Sequence, residues 1–257
     1  MVNCSNIGDI VIGEKLGEGW KREVFAGDFH GRKVAVKVAY YEGEWYNECR
    51  SANVGSEHCL NRARVGMLYD IALQQQLNHP SIVKMLGYCI RDASVTKSGD
   101  PIPKRGMISV FEFGEKFNAS SVRSFNEMLQ LSLDLLDMMD FFVNSPIGPI
   151  YIYDFGDSNL MVVDGHLKAS DIESGWSIDM RCWESSDCDY NLECVEGECI
   201  GNNARAMLDI AKDCLRVLLA PEHSLLYRTE LLEINTLLDD EFSTLTKLRT
   251  HIKAYLE

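Results

Sequence analysis

The string YIYDFGDSNLMVVDGHLKASDIE, residues 151–173, constrains this chain more than any other stretch. Two short apolar runs flank Val163-Asp164-Gly165, a turn signal, so the segment reads as a hairpin. Asn159 stands just before the first run and Asp171 just after the second, so the hairpin carries both into one cleft. Asp154 lies five residues ahead of Asn159. A phosphoryl-transfer site needs these groups: one carboxylate to orient the attacking hydroxyl, then an amide oxygen and a second carboxylate to hold metal ions on nucleotide phosphates. Three such residues can fall at this spacing by chance. The pattern gains weight because matching parts occur upstream in the right order.

Residues 7–40 read as strands, with turn residues at Gly17, Gly19, Asp28 and Gly31. Leu16-Gly17-Glu18-Gly19 opens a strand–turn–strand, followed by Val24 and Ala26. Glycines there let backbone approach phosphates without a Cβ in the way. Arg22 stands where such loops carry a third glycine; it either lies over the phosphates as a cation or faces solvent. Lys37, inside Val34-Ala35-Val36-Lys37-Val38, is costly to bury without an anion. Nucleotide phosphates supply one, with Ala35 packing on the adenine. The carboxylate expected to hold Lys37 is Asp70, on a helix over Val65–Leu77, ten residues before the breaker Pro80.

Further strands are expected over Ser81–Cys89 and Met107–Phe113, with a polar loop at 92–106 between them. That gives a first lobe of about five strands and one helix, ending near Gly114–Ser120. Phe125–Val143 is apolar on most faces and reads as a buried helix, stopped by Ser145-Pro146 and Gly148-Pro149. Ala204–Leu219 carries a clean helical stripe, and Leu245, Leu248, Ile252 and Leu256 mark a final amphipathic helix. Ala220-Pro221-Glu222 reads as coincidental.

The net charge of −14 leaves no basic surface for nucleic acid or anionic membrane. The most apolar stretch is broken by Asp134, Asp137 and Asp140, so no membrane span is expected. Of nine cysteines, Cys182, Cys188, Cys194 and Cys199 sit in a segment too polar to fold on its own apolar residues. Disulfide staples suit it, in any of three pairings; a zinc site is the competing reading, although no C-x-x-C is present. Cys49 and Cys59 could pair, while Cys89 and Cys214 lie in apolar patterns that suit buried thiols. Asn3-Cys4-Ser5 and Asn118-Ala119-Ser120 are glycosylation sequons. Cysteines and sequons together point to the secretory lumen or outside the cell. MVNCSNIGD lacks a signal peptide's pattern, so the chain is expected to be a fragment or to begin late.

These parts together resemble the eukaryotic protein-kinase fold from about Gly13 to Leu219. LNHPSIVKMLGYC is similar to the strand after the kinase C helix, and SVFEFGE to the hinge. More narrowly, LNHPSIVKMLGYCIRD, NSPIGPIYIYDF, VDGHLKASDIE and the cysteine segment ending CIGNNAR resemble secretory-pathway kinases of the vertebrate lonesome kinase family. The resemblance implies an α+β, two-lobed kinase-like domain over 7–257. It comprises an N-lobe at 7–114 with an antiparallel sheet and one helix, and a mainly helical C-lobe at 120–257 with a shortened end and a cysteine-rich segment at 182–199. It implies ATP with Mg²⁺ or Mn²⁺ as cofactor and secreted or lumenal proteins as substrates, phosphorylated on tyrosine. Asp154 and Lys37 are then catalytic. Leu16, Gly17, Gly19, Val24, Ala35, Lys37, Asp70, gatekeeper Phe111, Glu112 and Phe113 face the nucleotide, and Asn159, Asp171 and Glu173 face the metal. The pattern also departs from the family. Ile152 and Tyr153 replace the His-Arg before the catalytic aspartate, Glu173 replaces a glycine, and no cation lies between Asp154 and Asn159. Without that arginine, regulation by loop phosphorylation is not expected.

Overall fold

In the computed structural model, the described residues are 1–19, 22–39, 44–52, 55–90, 107–219, 227–240 and 243–256. The expected loop at 92–106 and Ala220-Pro221-Glu222 lie outside them. The chain divides into two compact units, one comprising 1–78 with 83–114 and the other 79–82 with 115–257.

The first unit contains β1 (Ile10–Glu18), β2 (Arg22–Phe29), β3 (Arg32–Ala39), α1 (Glu44–Ser51), α2 (Ser56–Gln76), β4 (Met85–Ile90) and β5 (Met107–Glu112). The strands form one antiparallel sheet in the order β1-β2-β3-β5-β4. Alternation in β3 decides its two faces. Val34, Val36 and Val38 are fully buried on one face, against Phe25, Ile108 and Val110 and, from the N-terminal segment, Val2 and Ile7. The other face carries Ala39 and Met107, packed on Met67 and Ile71 of α2.

Three expectations change here. The unit holds two helices among its described residues, and α2 begins at Ser56 rather than Val65. Its first turns are polar, so no apolar stripe announces them; the Cys49–Cys59 disulfide ties them to α1. Cys89 is a disulfide partner of Cys4, not a buried thiol. That bond pins the N-terminal segment across the sheet, where Val2 donates its amide to Leu86 O at 2.9 Å.

The second unit contains β6 (Glu115–Lys116), α3 (Phe125–Val143), β7 (Tyr151–Ile152), β8 (Leu160–Val163), β9 (His166–Ala169), β10 (Gly175–Trp176), β11 (Cys194–Val195), β12 (Glu198–Cys199), α4 (Asn202–Leu218), α5 (Arg228–Asp239) and α6 (Leu245–Ala254). The fold class is therefore α+β, with an antiparallel sheet and six helices among the described residues. α3 begins where Ser124 Oγ accepts the Glu127 amide at 3.1 Å, while the Glu127 carboxylate accepts the Arg123 amide at 2.8 Å. It packs on α4, α6 and β9, with Leu129, Leu135, Leu136, Met139 and Phe142 fully buried.

β8 and β9 close through Asp164 and Gly165, both at positive φ, the arrangement of a two-residue hairpin turn that favours Asp-Gly. The cysteine segment is stapled as Cys182–Cys194 and Cys188–Cys199. Three of its sulfurs lie within 4.8 Å of one another. Their disulfides leave no thiolates for zinc, which binds cysteine as the thiolate.

Candidate functional site

In the first unit, strand register gathers the residues that the sequence singles out. Val24 stands opposite Lys37, Lys37 opposite Ser109, and Ala35 opposite Phe111. Directly opposed residues share a sheet face, so Val24, Ala35, Lys37 and Phe111 lie on the face that α2 covers. Lys37 is buried, with its Nζ 4.8 Å from the centre of the buried Phe111 ring. Asp70, only 1% exposed on α2, places Oδ2 3.8 Å from that ammonium.

The same oxygen receives Arg22 Nη1 at 2.9 Å, and Arg22 is itself buried. Arg22 thus takes neither expected position; it enters the interior as a second cation on Asp70. The reason is register. Arg22 opposes Ala39, on the same face as Lys37, and its long side chain spans the distance to a short aspartate.

Leu16 is exposed on β1, and Gly17 opposes Val24. The Gly19 amide donates to Arg22 O at 2.7 Å. Glu112 ends β5, its carboxylate accepting the Lys84 amide at 2.9 Å. Phe113 follows it, with Lys33 Nζ 5.3 Å from its ring centre.

Asp154, Asn159, Asp171 and Glu173 belong to the second unit, and two ladders bring them together. β7 pairs with β10, Ile152 opposite Gly175. β8 pairs with β9, Leu160 opposite Ala169, and Ser170 extends that ladder by donating its amide to Asn159 O at 2.8 Å. Asn159 is buried, and its Oδ1 accepts the Gly156 amide at 3.1 Å and the Ser158 hydroxyl at 3.2 Å. Asp171 Oδ1 accepts the Glu173 amide at 3.4 Å. Asp154 is exposed. Amide and carboxylate oxygens are hard donors of the type that Mg²⁺ and Mn²⁺ take; here the Asn159 oxygen is directed to Gly156 and Ser158. Ile152 is buried, whereas Tyr153 is largely exposed.

Two further residues shape this region without any signal in the sequence. Ser174 donates its hydroxyl to Asp154 Oδ1. Asn203, buried in the first turn of α4, directs its amide to the carbonyls of Pro149 at 3.1 Å, Trp176 at 3.1 Å and Ile178 at 3.2 Å. It thereby braces the chain entering β7 and leaving β10. Asp179 caps the same helix, accepting the amides of Gly201 at 2.9 Å and Asn203 at 2.8 Å.

This α+β architecture is compatible with a kinase-like protein. No family model matches the chain. Over 224 residues, covering 80% of the chain, it is 23% identical to the human extracellular tyrosine-protein kinase PKDCC. The match spans 43% of that protein's length. The similarity supports a kinase-like family resemblance. The four disulfides are compatible with a secretory or extracellular location, and among the described residues no helix is long and apolar enough to cross a membrane.

Proposed function

We propose that this chain is an ATP-dependent protein kinase of the secretory pathway or extracellular space, with tyrosine as its acceptor. The observation that carries this reading is the buried Lys37–Asp70 contact, in a chain whose two short ladders also gather Asp154, Asn159 and Asp171. In this reading Lys37 aligns the nucleotide phosphates, and Ala35, Val24 and Phe111 form the apolar floor beside it. Asn159, Asp171 and Glu173 hold Mg²⁺ or Mn²⁺, which when bound neutralises charge on the transferred phosphoryl group. Asp154 accepts a hydrogen bond from the acceptor hydroxyl and takes its proton as the new oxygen–phosphorus bond forms and the bond from the γ-phosphorus to the bridging oxygen breaks, with ADP leaving. Catalysis is then mostly positioning and electrostatics. The tyrosine acceptor rests on the similarity to PKDCC alone.

A second reading, a nucleotide-binding protein with little transferase activity, draws on one contact. Asp70 sits closer to Arg22 than to Lys37, 2.9 Å against 3.8 Å, so the lysine is held less firmly than a dedicated pair would hold it. Transfer from γ-labelled ATP with Mn²⁺ onto a mixed preparation of secreted proteins separates the two. The kinase reading expects labelling that falls by at least about a hundredfold in Asp154→Asn, Asp171→Ala and Lys37→Met. Nucleotide binding by the wild type without transfer would favour the second reading, and equal labelling by all variants would mean a contaminating kinase.

A further inference from the structure

Ser174 lies twenty residues beyond Asp154, yet its hydroxyl is bonded to that carboxylate. Three features aim it there. The β7–β10 ladder sets Ile152 opposite Gly175, so its next step places Ser174 beside the Tyr153-Asp154 backbone. The Gly175 amide donates to Ile172 O at 3.0 Å, closing a tight turn that begins one residue after Asp171. Gly175 packs tightly at the end of that turn, where a Cβ would lie 3.0 Å from Ile172 O and 3.1 Å from Ile150 Cγ2. Backbone pairing, turn and packing therefore fix Ser174, not the chance rotamer of a loop.

An ionised carboxylate offers two oxygens and about four lone-pair positions. Ser174 engages Oδ1 and leaves Oδ2. No lysine or arginine stands between Asp154 and Asn159 to orient the carboxylate from its own loop. We infer that Ser174 is the positioning residue for Asp154: its hydroxyl fixes the rotation of the carboxylate so that Oδ2 is presented to the acceptor hydroxyl. The inference rests on the kinase reading above and deepens it. The same turn joins Ser174 to Asp171, so one short segment sets both the orientation of the base and the location of a metal-facing carboxylate.

The test is steady-state transfer from ATP with Mn²⁺ to a random glutamate–tyrosine copolymer, for wild type, Ser174→Ala, Ser174→Thr and Asp154→Asn. Thermal unfolding is measured on each protein. Losing one hydrogen bond to a charged group should lower kcat in Ser174→Ala by about tenfold, with KM for ATP held within about twofold, and Ser174→Thr should recover most of the loss. A structural role would not give that pattern. An active wild type whose Ser174→Ala variant is as fast or faster overturns the inference and leaves the kinase reading standing. A loss that threonine does not restore, with lowered thermal stability and raised KM for ATP, also overturns it. If wild type and Asp154→Asn label the copolymer equally, or neither does, the kinase reading fails and the inference fails with it.

Discussion

Arg22 and Asp70 meet at 2.9 Å in the interior of the first unit, 48 residues apart in the chain. Both are buried, and the acceptor oxygen also faces Lys37. Taking charges out of water is expensive, and their mutual attraction offsets that cost only while the pairing is complete. Arg22→Met should therefore destabilise the protein by about 3 kcal/mol, and Asp70→Leu by more, because it leaves two cations facing each other. The double variant should cost clearly less than the two single losses combined, as expected of neighbours that share one contact. Urea unfolding of the four proteins checks this; simple additivity would mean that the pair contributes no coupling.

Gly87 marks where the N-terminal segment crosses the sheet. A Cβ there would lie 1.8 Å from the Val2 carbonyl oxygen, a distance that no side-chain adjustment relieves. Gly87→Ala should push Val2 off β4, breaking the hydrogen bond from its amide to Leu86 O and loosening its cover of Val34 and Ile108, while the Cys4–Cys89 disulfide keeps the segment attached. The expected cost is at least about 2 kcal/mol, given the lost packing. Hydrogen exchange checks it: protection should fall at Val2 and along β4 before it falls in α3.

Eight of the nine cysteines are in disulfides, and Cys214 is the free thiol, buried on α4. Burial pushes its pKa up to about 12, with nearby Asp213 and Asp157 adding to the shift. The thiolate is the reactive form. Native protein without reductant should thus resist iodoacetamide at pH 8, and denatured unreduced protein should take one label per chain. Peptide mapping should find that label on Cys214. Labelling at Cys89 or Cys4 would contradict the pairing that anchors the N-terminal segment.

How much of this could be read in advance depends on the range of the interaction. The bounds of α3 are legible because Phe125–Val143 is apolar and ends are marked locally, by Ser124 at one side and Pro146 at the other. The β8–β9 hairpin is legible because Asp164-Gly165 specifies its turn within two residues. Lys37 stands out because its neighbours are valines. The partner of Arg22 is not legible: nothing near residue 22 reports a carboxylate 48 positions away, and its place beside glycines suggests phosphate or solvent instead. Cys89 misleads for a similar reason. Its strand is apolar, which is how a buried thiol looks, and its partner is 85 residues distant. Ser174 acts through a turn and a ladder, so only coordinates show where its hydroxyl points.

His79 gives the second unit a dependence on pH. Its ring stacks on Phe141 with centroids 4.1 Å apart, and Nδ1 accepts the Ser81 amide at 3.2 Å, so the neutral form is the one that fits. Burial holds its pKa below the ordinary imidazole value, and the charge of Asp137 opposes that shift without cancelling it. Asp137 is itself paired with Arg249 at 2.5 Å. The folded state therefore binds this proton less readily than the unfolded chain does. Stability is at its full value above about pH 6.5, the unfolded imidazole range, and falls as pH drops from there towards the lowered folded value. Carboxylates act mostly at lower pH, and comparison with His79→Gln separates this ring from the other five histidines between about pH 6.5 and 5. The unfolding midpoint in urea should decline across that interval in the wild type and decline less in His79→Gln. A midpoint that falls more steeply on acidification in His79→Gln than in the wild type would show that Asp137 governs the site, and that the imidazole is protonated in the folded state.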